Sequence, residues 1–585
     1  MHFDHRDPPV DNGPPTSTRR SLVTGLLGTA LGQPLAPRGL AEFRGGAAQA
    51  DAAGEAQPAL GSRIPARSNV VLLVLDDLDS TMLDEALPHL PTLGNLQQSG
   101  ATFSQFVVTT PLCSPSRATL LRGQYAHNHG VLQNRGNKEI EGGFPSFYQK
   151  EREESTVATW LQAAGYRTAM LGKYLNDFPL GASPAYVPPG WDEWIANSND
   201  ARGAFYFDYT FNENGTLRYY GSAAEDYSTD VLAAKSANFV RQSAARGQPF
   251  FLYVAPYAPH DPAVPAPRHV EAFGDSVFPV PPSFGEDDVS DKPTWVKALE
   301  PLAMGAEEDV DARWRVRLRT LLAVDDLLRT IGEAIATSGL SNQTYVMVVS
   351  DNGFHFGEHR INYGKVSPYE ESIRVPFLVQ GPGIAPGITI DRLVANIDLA
   401  PTIADLASVN TPPFVDGRSF APLLTHEPTL WRSVVLVEQF EDVAERLRRE
   451  GTTRRQPSRG QVNATLQREP DTTPEAKRPE RGRPQRQTEF AIATQAPVPS
   501  YRGLRADEFL FVRYDSGEVE LYDLEMDPYQ MDNLAPGLDQ AMLTMLLQRL
   551  AGMEACAGPV CRALENAPVQ LDGTASGLGG SRPET

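Results

Sequence analysis

The sequence predicts an α/β protein organised around a doubly wound, largely parallel sheet, with a smaller antiparallel-sheet-plus-helix subdomain toward its C-terminus. Three observations carry that expectation. Continuous apolar runs such as Asn69-Val-Val-Leu-Leu-Val-Leu75 recur along the chain, segments of helical spacing separate them, and polar residues cluster where the runs end. An unbroken apolar run suits a strand covered on both faces, as in a parallel sheet, whereas a half-exposed strand alternates. Helices alternating with such strands define the class.

In chain order, the run at 69–75 is the first strand and stops at Asp76-Asp77. Residues 154–164 have amphipathic helical spacing, and 166–171 read as the next strand. A further strand is expected at 249–255, a long helix at 315–338, and strands at 344–349 and 374–379. In open α/β sheets the functional crevice lies beyond the carboxyl ends of the strands. Asp76-Asp77, Lys173, His260 and Asp351-Asn352 each fall within a few residues of such an end. That convergence points to a site before any motif is considered. The mixed aromatic and polar stretch 197–220 reads as a loop walling a pocket suited to a sugar.

At 585 residues the chain exceeds one typical domain, which suggests a large catalytic domain with an appendage. The net charge of −21 argues against a general nucleic-acid binder, because phosphate contacts need clustered Lys and Arg. It fits an exported protein kept soluble by self-repulsion. Arg19-Arg20 precede a short, weakly apolar stretch that looks like a twin-arginine export signal; a disordered Arg-containing tail is the plainer alternative. Residues 1–65 then form signal and linker, 66–430 the catalytic domain and 431–562 the C-terminal subdomain. The secreted or cell-surface location of an exported bacterial protein follows from the signal. No stretch has the length and apolarity of a transmembrane helix.

The stretch 442–488 strings together Arg, Glu, Gln, Pro and Thr with too few apolar residues to fold, and reads as a mobile, solvated insertion. After it, 508–514 and 518–524 look like strands joined by Asp515-Ser-Gly517, followed by a helix at 538–553. Residues 563–585 read as a disordered tail. Cys556 and Cys561 could close a small disulfide loop outside the cytoplasm, a zinc site being the weaker alternative. Cys113 is then unpaired, and an unpaired cysteine in an exported protein needs an explanation.

Asp76, Asp77, Asp351 and Asn352 offer carboxylate and amide oxygens, the ligands of a hard cation such as Ca²⁺ or Mg²⁺ rather than zinc. Taken alone, aspartates after a strand serve equally well as turn or cap residues. Cys113-Ser-Pro-Ser-Arg117 adds the pattern C-x-P-x-R. With Leu75-Asp-Asp77, Gly123-Gln-Tyr-Ala-His-Asn-His-Gly130, Gly172-Lys-Tyr-Leu-Asn176, Ala258-Pro-His260 and Ser350-Asp-Asn-Gly-Phe-His355, the chain resembles the type I sulfatase family. Within that family it is most similar to the N-acetylglucosamine-6-sulfatase branch, over residues 66–562.

The resemblance implies an alkaline-phosphatase-like fold, a large mixed or parallel sheet flanked by helices. It implies that a formylglycine-generating enzyme oxidises Cys113 to formylglycine (3-oxoalanine). The hydrated aldehyde then attacks sulfur and, once the alcohol has left, expels sulfate. It implies one Ca²⁺ held by Asp76, Asp77, Asp351, Asn352 and modified Cys113. It places Lys173 and Lys365 on the sulfate, His260 beside the leaving oxygen and Arg117 behind the formylglycine. The implied substrate is a sulfated carbohydrate, glycosaminoglycan-derived or similar. Where many arylsulfatases carry a second histidine, this chain has Leu175, which leaves Asn176, His127 and His355 as candidates for a proton relay at the nucleophile. His127 and His129 serve equally well as hydrogen-bonding residues of the fold. A phosphate or phosphonate monoester hydrolase of the same superfamily is the nearest alternative activity, and a non-catalytic glycan-binding protein the alternative of another class.

Overall fold

The central element of the fold is a ten-stranded sheet, seen in a computed structural model that describes residues 67–136, 141–198, 205–425, 430–441 and 498–569. The expectations for residues 1–65, for 442–488 and for the tail from 570 onward lie outside the described residues. The strands are β1 (Asn69–Leu75), β2 (Ala101–Phe103), β3 (Phe106–Val107), β4 (Arg167–Gly172), β5 (Glu193–Asn197), β6 (Tyr209–Glu213) and β7 (Thr216–Tyr220). They continue with β8 (Phe250–Ala255), β9 (Thr344–Ser350), β10 (Phe377–Gln380), β11 (Ile388–Ile390) and β12 (Val394–Ala395). The large sheet has the order β11-β2-β10-β9-β1-β8-β4-β5-β6-β7, and β3 pairs separately with β12.

Five adjacent strands, β9-β1-β8-β4-β5, are mutually parallel. Both flanks turn antiparallel, at β10 against β9 and at β6 against β5. The sheet is therefore mixed. Pro376, which has no N–H for a ladder, falls inside the strand expected at 374–379, and the strand starts only at Phe377. Within the stretch 197–220, residues 209–220 are the β6–β7 hairpin at the sheet edge rather than a loop, and 199–204 lie outside the described residues.

The apolar run of β1 is unbroken because helices cover both its faces. Val70, Leu72 and Val74 join one core layer with Ala118, Leu120 and Leu121 of the helix Cys113–Arg122. Val71, Leu73 and Leu75 join the other with Val240 of the helix Ser228–Ala245 and Leu318 of the helix Ala306–Thr337. That last helix starts nine residues before the expected 315, and Glu307, Glu308 and Asp309 in its first turn complement the positive end of the helix dipole. The helix expected at 154–164 begins only at Val157, because Thr156 and Thr159 cap it through a reciprocal pair of side-chain-to-backbone bonds.

The C-terminal region forms a four-stranded antiparallel sheet of β13 (Val434–Gln439), β14 (Tyr501–Ala506), β15 (Phe509–Tyr514) and β16 (Val519–Asp523). The helix Gln540–Glu554 packs beside it, and Cys556 and Cys561 form a disulfide. The helix Pro559–Asn566 runs through the boundary expected at 562. Buried Glu565 lies on it, bonded to Tyr125 and to Arg418. Residues 563–566 are thus part of the fold, not of a tail.

His127 spans the junction between the two sheets. Its Nδ1 lies 3.0 Å from Glu438 of β13 and its Nε2 lies 3.1 Å from the Cys556 carbonyl oxygen. Burial alone would lower the imidazole pKa, but the Glu438 carboxylate raises it to about 9, above the ordinary 6.5. A pKa raised on folding stabilises fully below about 6.5, and the contribution is lost as pH climbs through about 9. We therefore expect this contribution to stability to fall between pH 6.5 and 9 by up to about 3 kcal/mol. His127→Gln should flatten that slope, as measured by melting at several pH values; an unchanged slope would remove His127 from the account.

Candidate active site

β1 and β9 pair in register from Asn69–Thr344 to Leu75–Ser350, so they end together and set Asp76-Asp77 beside Asp351-Asn352. The ends are locked by hydrogen bonds. The Asp351 N–H donates to the Leu75 carbonyl at 3.0 Å, and the Leu78 N–H to Ser350 Oγ at 2.9 Å. Asp77 sits at φ 66°, a left-handed conformation that Asp tolerates better than most residues. Two strands away, β4 ends at Gly172, and the Lys173 N–H donates to the Ala255 carbonyl at 2.8 Å. β8 leads into a turn in which the His260 N–H donates to Tyr257 O at 2.7 Å. Cys113 is the first residue of its helix, whose N-terminus carries positive partial charge.

The side chains converge. Lys173 Nζ donates to Asp76 Oδ2 at 2.5 Å, and Lys365 Nζ donates to Asp77 Oδ1 and lies 2.8 Å from Cys113 Sγ. Cys113 Sγ is 3.7 Å from Asp76 Oδ1, and His260 Nε2 is 3.6 Å from Asp77 Oδ2. Ligand atoms of Asp76, Asp77, Cys113 and His260 all lie within 4.8 Å of one another. Arg117, one turn below Cys113, donates from Nε to Asp351 Oδ2 at 2.8 Å and from Nη1 to the Lys173 carbonyl at 3.1 Å. Asp351 stands slightly apart, since its Oδ1 accepts the Asp77 N–H at 3.2 Å.

Nearly all of these groups are buried, and His260, with 26 % of its side chain exposed, marks the open side. Burial raises a carboxyl pKa, yet Lys173, His260, Arg117 and Lys365 hold Asp76 well below its ordinary value. Asp77 is likewise lowered against its burial, chiefly by Lys365. Asp351 goes the other way, raised by burial and by the neighbouring Asp76. Both lysines stay charged, because the carboxylates outweigh the desolvation that would lower them. Burial pushes the Cys113 thiol up to about 11 despite the two lysines, so the encoded side chain is a neutral thiol and a weak nucleophile.

Two buried atoms in this cluster, Arg117 Nη2 and Asn352 Oδ1, make no hydrogen bond, and the second is an acceptor. Asn352 Nδ2 donates to Asp77 Oδ1 at 2.7 Å, whereas its Oδ1 is buried with no hydrogen bond. A buried carbonyl oxygen without a donor is costly and fits a cation ligand. The donor set of carboxylates and an amide is that of a hard metal ion.

Three histidines weighed from the sequence bond to groups other than the nucleophile. His127 is held by Glu438 and Cys556, which corrects its candidacy as a relay. His129 bonds to Thr119 Oγ1 at 3.0 Å, and His355 Nε2 to Ser367 Oγ at 2.7 Å. Asn176 is close, but its Oδ1 accepts the Ser114 hydroxyl at 2.8 Å, and an amide carries no transferable proton at neutral pH. Sequence reasoning also missed Arg317, whose Nη2 donates to the Asp77 carbonyl while its guanidinium lies 4.3 Å from the Phe354 ring centre. The available signal was its place on the apolar stripe of its helix with Val310, Trp314, Leu318 and Leu321, where a charged residue is out of pattern.

The sequence profile of the sulfatase family matches residues 68–409. The chain is 34% identical over 519 residues to N-acetylglucosamine-6-sulfatase of Capra hircus, covering 86% of both proteins. It is 34% identical to the Homo sapiens protein of that name, covering 86% of this chain and 87% of the relative. Among solved structures, one of a protein in complex with its substrate D-glucosamine-2-N,6-O-disulfate superposes with a TM-score of 0.64 at 21% identity, covering 86% of this chain and 99% of that one. A phosphonate monoester hydrolase from Silicibacter pomeroyi superposes at 0.54 with 23% identity, over 82% and 93% of the two chains. At these identities the structural likeness concerns the fold.

Gly172 makes one of the site's close backbone approaches. It has φ 108°, and a Cβ there would lie 2.1 Å from the Ala255 carbonyl oxygen. Gly172→Ala should push β4 from β8, displace Lys173 and cost about 1–3 kcal/mol. An unchanged denaturation midpoint would refute that account of the strand ends.

Proposed function

The chain belongs to the sulfatase family and is a sulfuric ester hydrolase, and on that footing we propose that it removes 6-O-sulfate from an N-acetylglucosamine-type sugar, using residue 113 as formylglycine beside one bound Ca²⁺. The observation that carries this reading is the position of Cys113, on a helix N-terminus and against Lys365, Asp76 and their neighbours. The substrate class is supported by relatives of that activity matching over most of their length. Asp76, Asp77, Asp351, Asn352 and residue 113 would hold the ion, and the partnerless Asn352 Oδ1 supports that set. Ca²⁺ supplies Lewis-acid charge for the sulfate oxygens, and the formylglycine form supplies the oxygen nucleophile and a means of releasing sulfate.

The remaining work falls to the chain's own side chains. Lys173 and Lys365, both buried and charged, bind non-bridging sulfate oxygens as negative charge redistributes toward the leaving group. Arg117 fixes Asp351 and the Lys173 backbone, so the cluster is preorganised rather than assembled on binding. His260, on the open side, stands where the sugar oxygen departs and gives it a proton. Its Nδ1 faces the Asp261 carbonyl at 2.5 Å, and a carbonyl only accepts, so Nδ1 carries a hydrogen and Nε2 faces the site.

The same reading makes the protein an exported one that meets a formylglycine-generating enzyme during maturation. The Cys556–Cys561 disulfide suits an oxidising compartment. Among the described residues no helix is long and apolar enough to cross a membrane.

Mass spectrometry of the peptide spanning Cys113, from protein made in its own host, should show the loss of sulfur expected for formylglycine; an intact thiol throughout would leave the reading without a nucleophile. Cys113→Ala should keep its melting behaviour and lose a thousandfold or more, in order of magnitude, of sulfate ester turnover. Full activity in that variant would end the proposal. Asp351→Ala should weaken Ca²⁺ binding by about 10–100-fold in calorimetry, and unchanged affinity would exclude it from the ion's surroundings.

A further inference from the structure

Two arginines one helical turn apart, Arg313 and Arg317, reach from the helix Ala306–Thr337 toward the site. Arg313 donates from Nη1 to Asp261 Oδ2 at 2.9 Å, and Arg317 Nη1 lies 3.8 Å from the same oxygen. Arg317 also donates from Nη2 to the Asp77 carbonyl. One helix therefore ties the aspartate beside His260 to an aspartate of the central cluster. The guanidinium of Arg313 lies 3.6 Å from the centre of the Tyr363 ring, which fixes its plane.

The backbone around His260 is held at both of its neighbouring carbonyls. The Asp261 carbonyl accepts the Nδ1 hydrogen at 2.5 Å, and the His260 carbonyl accepts the Tyr206 hydroxyl at 2.8 Å. Phe205 stacks on Tyr257 with ring centres 4.3 Å apart and meets the His260 ring edge-on at 5.9 Å. His260 is the most open member of the cluster, so it is the one whose ring needs outside support.

We propose that Arg313 is a positioning residue for His260: by anchoring the Asp261 side chain it orients the Asp261 carbonyl, which in turn holds the Nδ1 hydrogen and aims Nε2 at the leaving oxygen. This rests on the reading of His260 as the proton donor. When the Nε2–H proton passes to the departing oxygen, the S–O bond electrons stay on that oxygen. The ring is left neutral with its hydrogen on Nδ1, the form the Asp261 carbonyl accepts. Loss of Arg313 leaves the Asp261 carboxylate only the longer 3.8 Å approach of Arg317 Nη1, lets the carbonyl turn and detunes that transfer without touching sulfate.

The distinguishing readout is sensitivity to the leaving group. A poor leaving group needs the proton, while a good one departs without it. With the mature enzyme, Arg313→Met should lower kcat on phenyl sulfate by about tenfold or more and on 4-nitrophenyl sulfate by less than about threefold. KM should change little, and Arg313→Lys should recover part of the loss by restoring the pair with Asp261. Asp261→Asn, which keeps the backbone and shape, should show the same leaving-group bias more weakly. Equal losses of Arg313→Met on both substrates, or a loss confined to KM, would overturn the proposal. His260→Ala measured alongside separates the two readings. If it shows no bias, the proton-donor reading fails; if it shows a strong bias that Arg313→Met lacks, only the role of Arg313 fails.

Discussion

The structure depends on the mutual neutralisation of charges that have been taken out of water. Asp76, Asp77 and Asp351 meet Lys173, Lys365 and Arg117 in a buried cluster beyond the ends of four adjacent parallel strands. A lone ion in such a place would cost several kcal/mol, so each group is tolerable only because its partners are fixed within reach. The parallel sheet makes this possible. Its strands end at the same level, and their carboxyl ends project polar residues into one crevice. The apolar layers on both faces keep the strands in register, and the C-terminal region braces the arrangement through Glu438, through Glu565 and through Glu520, which accepts the Tyr369 hydroxyl.

The same neutralisation explains why the site is preorganised. Arg117 and Arg317 grip backbone carbonyls of Lys173 and Asp77 as well as side chains. Charge placed by rigid elements needs little reorganisation when a reacting group redistributes its own. Arg317 itself is incompletely satisfied, with Nε and Nη1 lacking hydrogen-bond partners, and is held instead over Phe354. Two elements far apart in sequence thus share the task of holding the aspartates.

What could be read from the sequence follows from which features leave a local trace. The end of an unbroken apolar run is local, so Asp76-Asp77, Lys173 and Asp351-Asn352 were legible as strand-end groups, and β1, β8 and β9 lie within a residue of their expected limits. The direction of β10 was not, since antiparallel pairing is a tertiary choice. Lys365 lies outside every helix and strand, and only the family resemblance singled it out. Arg313 lies ahead of the helix start expected at 315, and neither it nor Arg317 belongs to a motif that would single it out. His127 was drawn toward the nucleophile by its nearness to the C-x-P-x-R motif in sequence, whereas the helix turn at Ala126–His129 aims it at a strand more than three hundred residues on.

The burial of Cys113 has a consequence for the order of events in the life of the chain. In the folded protein only 1 % of this residue meets solvent, and Lys365, which lies against its sulfur, is encoded 252 positions later. Until that later segment has been made and has packed, the cysteine is reachable; afterwards it is sealed. Any enzyme that is to oxidise this side chain works against a clock set by folding. A chain that folds before it is modified keeps a thiol buried away from large molecules. Under the proposed function, the fraction of active molecules is then decided by a race during synthesis rather than by the stability of the finished protein.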